Sequence, residues 1–476
     1  MPAGISFSYK ADVPYCVPLA YASSLSPPST QLLGRLQIGS SMLRICKLKV
    51  SVAEKLASLA KVACPIIITS LIMYSKSFIS MLFLGHLGDI ALSGGSLSIS
   101  FANITGYSVL KGLAMGMEPI CYQAYGAKRW AIMTKTYRKT LFLLLAVAFP
   151  ISLLWLNIEP ILLWLGQDEN IAAVAKIYIK YSIPDLIAQA HFHPLKTFLR
   201  TQNINRPLTI SVIVAMLLHC PINYFLVVYI NLGVRGVALA SVWNTLNVNL
   251  GLLVYVFLSK TSLRPWDGDI ASIFSEGWRP LLALAGPSVL SVCLEWWCYE
   301  ILLLLCSLLS NPQANVAAMG ILIQTTSLLY VFPSSLSSAL SIQVGHELGA
   351  DQPKQAQRTT VVGFTLAALW GILAFLFTVA VRDVWGKLFT SDPKILGLTS
   401  ITLPLLGFCE LALLALKFEM GFVGLWLGLA AAQVSCTCMM VCTLLYTDWT
   451  QQASRAKELT QEKEGRRNDL EAPLLS

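Results

Sequence analysis

The sequence predicts an all-α integral membrane protein made of two related halves, the second of them shortened. Three observations carry this. The 476 residues are 55% hydrophobic and only 12% charged, with a mean hydropathy of +0.65, a balance foreign to soluble globular chains. The apolar residues gather in runs of roughly 20 or more, the length a helix needs to cross a bilayer with its backbone groups satisfied internally. Two stretches also recur. Met117-Glu-Pro-Ile-Cys-Tyr-Gln-Ala-Tyr-Gly-Ala-Lys128 has a counterpart in Ser341-Ile-Gln-Val-Gly-His-Glu-Leu-Gly-Ala-Asp351, and Leu232-Gly-Val-Arg-Gly-Val237 one in Met420-Gly-Phe-Val-Gly-Leu425. Gly126 to Gly349 is an offset of 223, whereas Gly233 to Gly421 is one of 188. The second copy is therefore 35 residues short, about one span and a loop.

In chain order, residues 1–50 mix prolines, serines and short apolar pieces with one acid, Asp12. They read as a disordered cytosolic tail, with an organelle transit peptide as the rival and no cleavable signal apparent. Spans are expected at 57–82, 91–116, 140–165, 171–195, 208–230 and 236–258, making an N-terminal lobe over 51–260. A cytosolic linker covers 261–278. The C-terminal lobe, 279–448, has spans at 279–309, 315–343, 360–381, 396–417 and 421–446, for about 11 in all. A polar tail follows at 449–476 and reads as solvated.

Loop charge sets the orientation. Lys128, Arg129, Lys135, Arg138 and Lys139 follow the second span, Lys196, Arg200 and Arg206 the fourth, and Lys260, Arg264 and Arg279 the sixth. The intervening loops are nearly free of bases, apart from Arg382, Lys387 and Lys394 near the ninth. Basic loops face the cytosol, so the N-terminus does too. Even spans per half make the two repeats parallel, related by an axis along the membrane normal. Eleven spans would then end outside, yet the tail carries Arg455, Lys457, Lys463, Arg466 and Arg467. Parity and charge conflict there.

No Walker-type phosphate loop is present, which argues against ATP-driven transport by this chain. No catalytic cluster of histidines, carboxylates or a nucleophilic triad stands out, and the twelve cysteines lack metal or redox spacing. An enzyme is disfavoured, and neither a cofactor nor a metal is expected. Repeated halves with Pro- and Gly-interrupted helices point instead to a secondary transporter.

Ionisable groups inside spans are costly and are functional candidates by default. Glu295, in Cys293-Leu-Glu-Trp-Trp297, is the foremost, because it lies near the middle of its span. It is the candidate proton-coupling acid. Trp296 and Trp297 beside it offer flat faces to a cation. The plainer reading is a neutral carboxyl that joins helices. Glu300 lies about 140° farther around the helix. Asp185, after Pro184, sits at an expected helix break. Glu300 reads first as a packing or backbone-bonding group and Asp185 as a structural one, with a place on the substrate cavity as the secondary reading of each. Glu118 before Pro119 reads as structural, and His193 before Pro194 as a helix-end anchor.

Glu118-Pro-Ile-Cys-Tyr-Gln-Ala-Tyr-Gly-Ala-Lys128, Cys293-Leu-Glu-Trp-Trp297, Phe332-Pro-Ser-Ser-Leu336 and Val344-Gly-His-Glu-Leu-Gly-Ala350 together resemble the plant branch of the multidrug and toxic compound extrusion (MATE) family, the DETOXIFICATION proteins. The resemblance covers roughly residues 51–448. It implies two pseudo-symmetric six-helix lobes around a central cavity that opens alternately to each side. It also implies that a proton gradient drives export or sequestration of small organic compounds: cations, alkaloids, flavonoids, hormones or organic acids. The glutamate of the Leu-Glu-Trp-Trp motif, a proton-coupling acid in plant relatives, falls on Glu295.

The sequence departs from that family in three places. Tyr122 stands where relatives usually have Gly, and Gln343 where they have Arg. After Cys409-Glu410-Leu411 the chain passes directly to Ala412, omitting the rest of the tenth helix, a basic loop and the eleventh helix. The resemblance thus places the deletion near 411–412. A monomer in an endomembrane (vacuole, Golgi or late endosome) or the plasma membrane is expected, with lipid, protons and small organic substrates as partners and no nucleic acid. A non-transporting truncated isoform is the alternative.

Overall fold

The computed structural model describes residues 30–259, 277–307, 312–388, 390, 392–408 and 446–461. The chain divides into two compact units, Met1–Glu54 and Lys55–Ser476. In the first unit the described residues, 30–54, are helical. The expectation of a disordered tail therefore stops short for 30–50. No proline falls between Pro28 and Pro65 to interrupt a run rich in Leu, Arg and Lys.

Helix α1 runs Thr30–His86, passing through Pro65. The second crossing is segmented: α2 (Asp89–Ala102), one π-helical turn (Asn103–Tyr107) and α3 (Ser108–Met115). After Gly116, α4 (Glu118–Gly126) begins with Pro119 in its first turn, where a missing N–H costs nothing. Helices α5 (Trp130–Leu156) and α6 (Ile158–Trp164) make the third crossing.

Helix α7 (Glu169–Thr201) is capped by Asp168, whose carboxylate accepts the N–H of Asn170 at 2.9 Å and of Ile171 at 3.2 Å. It continues through both Pro184 and Pro194, so the break expected at Asp185 does not occur. Each interior proline removes a backbone bond at a cost of about 3 kcal/mol. Contacts with α2, α5 and α9 on its flanks offset that loss. Helices α8 (Arg206–Tyr224, ending in a π-helical turn to Tyr229) and α9 (Val234–Leu258) complete the first half. The second half contributes α10 (Arg279–Ser307), α11 (Pro312–Gly349), α12 (Pro353–Trp385) and α13 (Pro393–Phe408).

Seven segments among the described residues are long and apolar enough to span a membrane by length and composition alone. Neither α7 nor the segmented second crossing is among them, and these two carry ionisable residues within their length. The shortened stretch, including Glu410 and the site at 411–412, lies outside the described residues.

The halves meet where the sequence repeats. Helix α4 packs on α11, and α3 on α10. A Cβ placed on Gly126 would lie 2.1 Å from the His346 carbonyl oxygen, and one on Gly349 would lie 2.1 Å from that of Gln123. The 223-residue offset that pairs the two glycines also pairs His346 with Gln123. The contact is thus reciprocal, and small-xxx-small spacing (Gly345 and Gly349) lets the backbones approach. Tyr122 aligns with Gly345 and packs its own Cβ where a Gly345 side chain would go. A pseudo-twofold axis has room for one side chain at that level. Tyr122 can replace the customary glycine because its partner remains one.

The corners after this seam are also copies. Lys128 and Asp351 have φ of +58° and +59°. Arg129 N–H donates to Ala124 O, and Gln352 N–H to Glu347 O, each at 2.8 Å.

The final described helix, α14 (Trp449–Gln461), docks on this same face. Ala453 and Ala456 are buried against Leu348 and Ala356, and Lys457 pairs with Asp351 at 2.5 Å. The tail expected to be solvated is therefore partly packed, because the i, i+3 alanines present a flat stripe. It lies on the face of the basic loops, in keeping with its charge and against the odd parity. On the opposite face, the bases that fit the orientation rule poorly are partly neutralised: Arg382 pairs with Asp383 at 3.3 Å.

Candidate functional site

Two adjoining cavities open between the halves. The first, about 310 Å³, is lined by Glu295 and Ser291 of α10, Lys111 of α3, Glu118 of α4, and Lys196 and Arg200 of α7, with a row of serines from α11. Those serines, Ser334, Ser335, Ser337 and Ser338, follow Pro333 within the helix. The second cavity, about 280 Å³, holds Asp185 and Gln189 of α7, Lys76 of α1, Tyr107 and Trp296. Met73, Lys111 and His193 line both. They form the boundary through which one cavity passes into the other.

Local folding explains who reaches the cavities. The π-helical turn at Asn103–Tyr107 adds a residue to one turn of the second crossing. The turn ends on Tyr107, which donates to Asp185 Oδ2 at 2.7 Å. Lys76 lies 3.8 Å from the other carboxylate oxygen of Asp185. Asp185 is thus a buried acid with its own base and its own donor. Glu118 reaches the first cavity where the helix is interrupted at Gly116 and Met117 and α4 starts anew, with its acid at the positive end of the helix.

Lys111 is the pivot. Its ammonium sits 5.0 Å from the centre of the Trp296 ring, on the wall it shares with Glu295. Residues 295 and 296 are 100° apart on α10, so adjacent positions face adjacent cavities. A cation already attached to the protein thus occupies the aromatic face next to the acid.

Of the residues singled out from sequence, Glu295, Trp296 and Asp185 line these cavities. Neither cavity is lined by Trp297 or Glu300. Trp297 donates its indole N–H to the Ile104 carbonyl at 3.0 Å, tying α10 to the π-helical turn. Glu300 pairs with Ser100 of α2. Both stitch the halves together. Glu118 and His193, read as structural, are instead cavity residues.

Lys76 and Lys111 were missed altogether. The signal was available, since both sit inside apolar runs, as Glu295 does.

Tyr107 and Trp155 meet edge-to-face at 5.7 Å, and Trp155 donates to Thr105 at 2.9 Å. In the second half Trp385 of α12 donates to Thr325 of α11 at 2.8 Å. The same bond thus joins the second and third crossings of each half.

The MatE family profile matches residues 65–225 and again 287–446, one match in each half. Protein DETOXIFICATION 53 of Arabidopsis thaliana is 51% identical, with 86% of this chain and 92% of the relative covered. Protein DETOXIFICATION 49 of the same plant is 48% identical, covering 89% and 92%. The crystal structure of the eukaryotic MATE transporter AtDTX14 superposes with a TM-score of 0.80 at 30% identity, covering 86% of this chain and 99% of the other. A structure of MATE in complex with MaD3S shares the fold at a TM-score of 0.72 and 14% identity.

Proposed function

Since this chain belongs to the MatE family of multi-pass membrane transporters, we propose that it is a secondary antiporter exchanging protons for organic compounds that it exports or sequesters. The observation that carries the reading is the placement of Glu295 on a cavity between the halves, with Lys111 and Trp296 at its boundary.

The mechanism is competition. With Glu295 ionised, a positive group on the cargo lies beside it and over Trp296, displacing Lys111 from the ring. A proton arriving from the lumenal or extracellular side neutralises Glu295, and the cargo loses its counter-charge. Losing one close charge partner in a partly desolvated site costs several kcal/mol, enough to shift affinity by orders of magnitude. Proton release toward the cytosol restores the acid. Lys111 then serves as an internal counter-ion that keeps Glu295 paired while the cavity is empty. Energy comes from the proton gradient, with no cofactor.

The test is uptake of a fluorescent organic cation into proteoliposomes under an imposed pH gradient. Wild type accumulates the dye and Glu295→Gln does not. Unchanged gradient-driven uptake by Glu295→Gln would sink the reading.

A further inference from the structure

The cavity that holds Glu295 contains more fixed positive charge than a proton site requires. Lys111, Lys196 and Arg200 face only Glu118 and Glu295 on its walls. Lys111 is accounted for by Trp296 and by the charge of Glu295. Lys196 and Arg200 have only the single charge of Glu118 to share between them. The Lys196 ammonium rests over Phe192 at 5.3 Å, and no ion pair joins either base to a carboxylate among the described residues. Glu118, the acid of this corner, accepts the Tyr122 hydroxyl. Arg200 Nε is fully buried and lacks any hydrogen-bond partner. A guanidinium short of a partner is expensive to maintain, and on a side chain that lines the cavity its planar fork fits a carboxylate's two oxygens.

We propose that Lys196 and Arg200 form an anion subsite that holds a carboxylate, or an oxyanion of like shape and single charge, on the transported molecule. The proposal rests on the antiporter reading of this cavity and names its cargo class: amphoteric organic compounds. The basic end of the cargo lies at Glu295 and Trp296, and the acidic end lies at the Arg200 corner. At the corner itself Lys196 and Arg200 face one acid, Glu118, which leaves one positive charge over; one carboxylate balances it and a doubly charged phosphate overshoots. Proton competition stays at Glu295, because the two ends of the cargo are read by different walls. The sign of the coupling is therefore that of an ordinary cation exchanger, although the molecule carried has no net charge.

Two forms of one rhodamine dye separate the carboxylate from everything else: the free acid and its methyl ester. Each is titrated against the full chain in detergent micelles and followed by fluorescence anisotropy. The free acid binds about tenfold tighter, the worth of one hydrogen bond to a charged group. Arg200→Gln or Lys196→Gln removes that advantage and leaves ester affinity within about twofold, while Arg200→Lys keeps part of it. Equal binding of acid and ester by wild type overturns the proposal without recourse to any variant. So does failure of the acid to bind, or an equal loss for both dyes in Lys196→Gln. If the acid is preferred as stated, yet a pH gradient moves neither dye into proteoliposomes, the antiporter reading fails and the subsite stands.

Discussion

In the first half the corner after the second crossing turns at Lys128 with φ of +58°, and in the second half the matching corner turns at Asp351 with +59°. The same hydrogen bond closes both at 2.8 Å. A few turns inward, the likeness ends. The first half lines its cavity with an acid already answered by Lys76 and Tyr107. The second contributes Glu295 and a row of serines to the neighbouring cavity, which Lys111, Glu118, Lys196 and Arg200 of the first half also line. Each half keeps its inherited form where it must fit the other, since a self-complementary seam tolerates change only in matched pairs. Where the halves face the cavities there is no such mutual constraint, and the acids they present differ: Asp185 is held by Lys76 and Tyr107, and Glu295 stands beside a row of serines.

The largest effect is expected at the seam. Gly126→Ala and Gly349→Ala each place a methyl 2.1 Å from a carbonyl oxygen of the opposite half. Both glycines close their helices with helical rather than left-handed backbone, a conformation alanine adopts freely, so any loss has to come from the contact between halves. Overpacking against rigid backbone costs about 1–3 kcal/mol, and this approach belongs at the upper end. Either variant should lose most gradient-driven uptake in proteoliposomes. Because the two contacts are reciprocal, the double variant should be little worse than either single one. Fully additive losses would show that the seam is not shared.

Next comes the contrast between the two acids. Asp185→Asn should cost about 1.5–3 kcal/mol of thermal stability, the range for hydrogen bonds to a charged group, by leaving Lys76 poorly paired. It should retain pH-driven uptake in the surviving protein, whereas Glu295→Gln should retain stability and lose the pH dependence. Thermal unfolding in detergent beside the uptake assay reads both. The opposite pattern would exchange the roles of the two halves.

Much of this layout was legible before any coordinates. The two-half architecture, the seam and Glu295 follow from hydropathy, an internal repeat and one misplaced acid, all of them signals carried by single positions or short windows. What escaped depends on which face of a helix a residue presents. Trp297 and Trp296 are neighbours in sequence, yet one holds a backbone carbonyl and the other a lysine ammonium. Lys76 and Lys111 have the same standing as Glu295 by the cost of burial, but basic side chains are long, and their charge is read from sequence as an orientation signal. Glu118 and His193 sit beside prolines, which suggested ends of helices rather than walls of a cavity. That Glu118, at the start of a new helix after Gly116, lines the cavity is a tertiary fact.

A smaller effect is expected from Lys111→Gln. Removing the tethered cation frees the Trp296 face and leaves Glu295 without its resident partner, so an organic cation should bind more tightly. A partly desolvated cation–π contact is worth about 1–2 kcal/mol, which corresponds to roughly tenfold in affinity. Anisotropy titration of a cationic dye measures it. Weaker binding would mean that Lys111 holds the cavity in shape and is not in competition with cargo.

The smallest effect tests a place where the matching corners differ in the sign of their charge, Lys128 in the first half and Asp351 in the second. Asp351 has a partner, Lys457 of α14, in a pair whose side chains are 54% and 46% exposed. Exposed pairs contribute at most about 1 kcal/mol, and salt screens them further. Lys457→Ala should therefore shift thermal stability barely beyond error, with the residual shift vanishing at high ionic strength. Ala456→Glu, one residue away, places a charge on the buried stripe against Leu348 and Ala356 and should release the helix outright. Limited proteolysis after Lys457 and Arg455 would report that release. If the alanine stripe rather than the ion pair holds α14 down, only the second variant becomes protease-sensitive. The asymmetry between corners is then a surface accident laid over a conserved turn. If both become sensitive, the charge at Asp351 is what fastens the tail to the seam, and the second half has gained a clasp that the first never had.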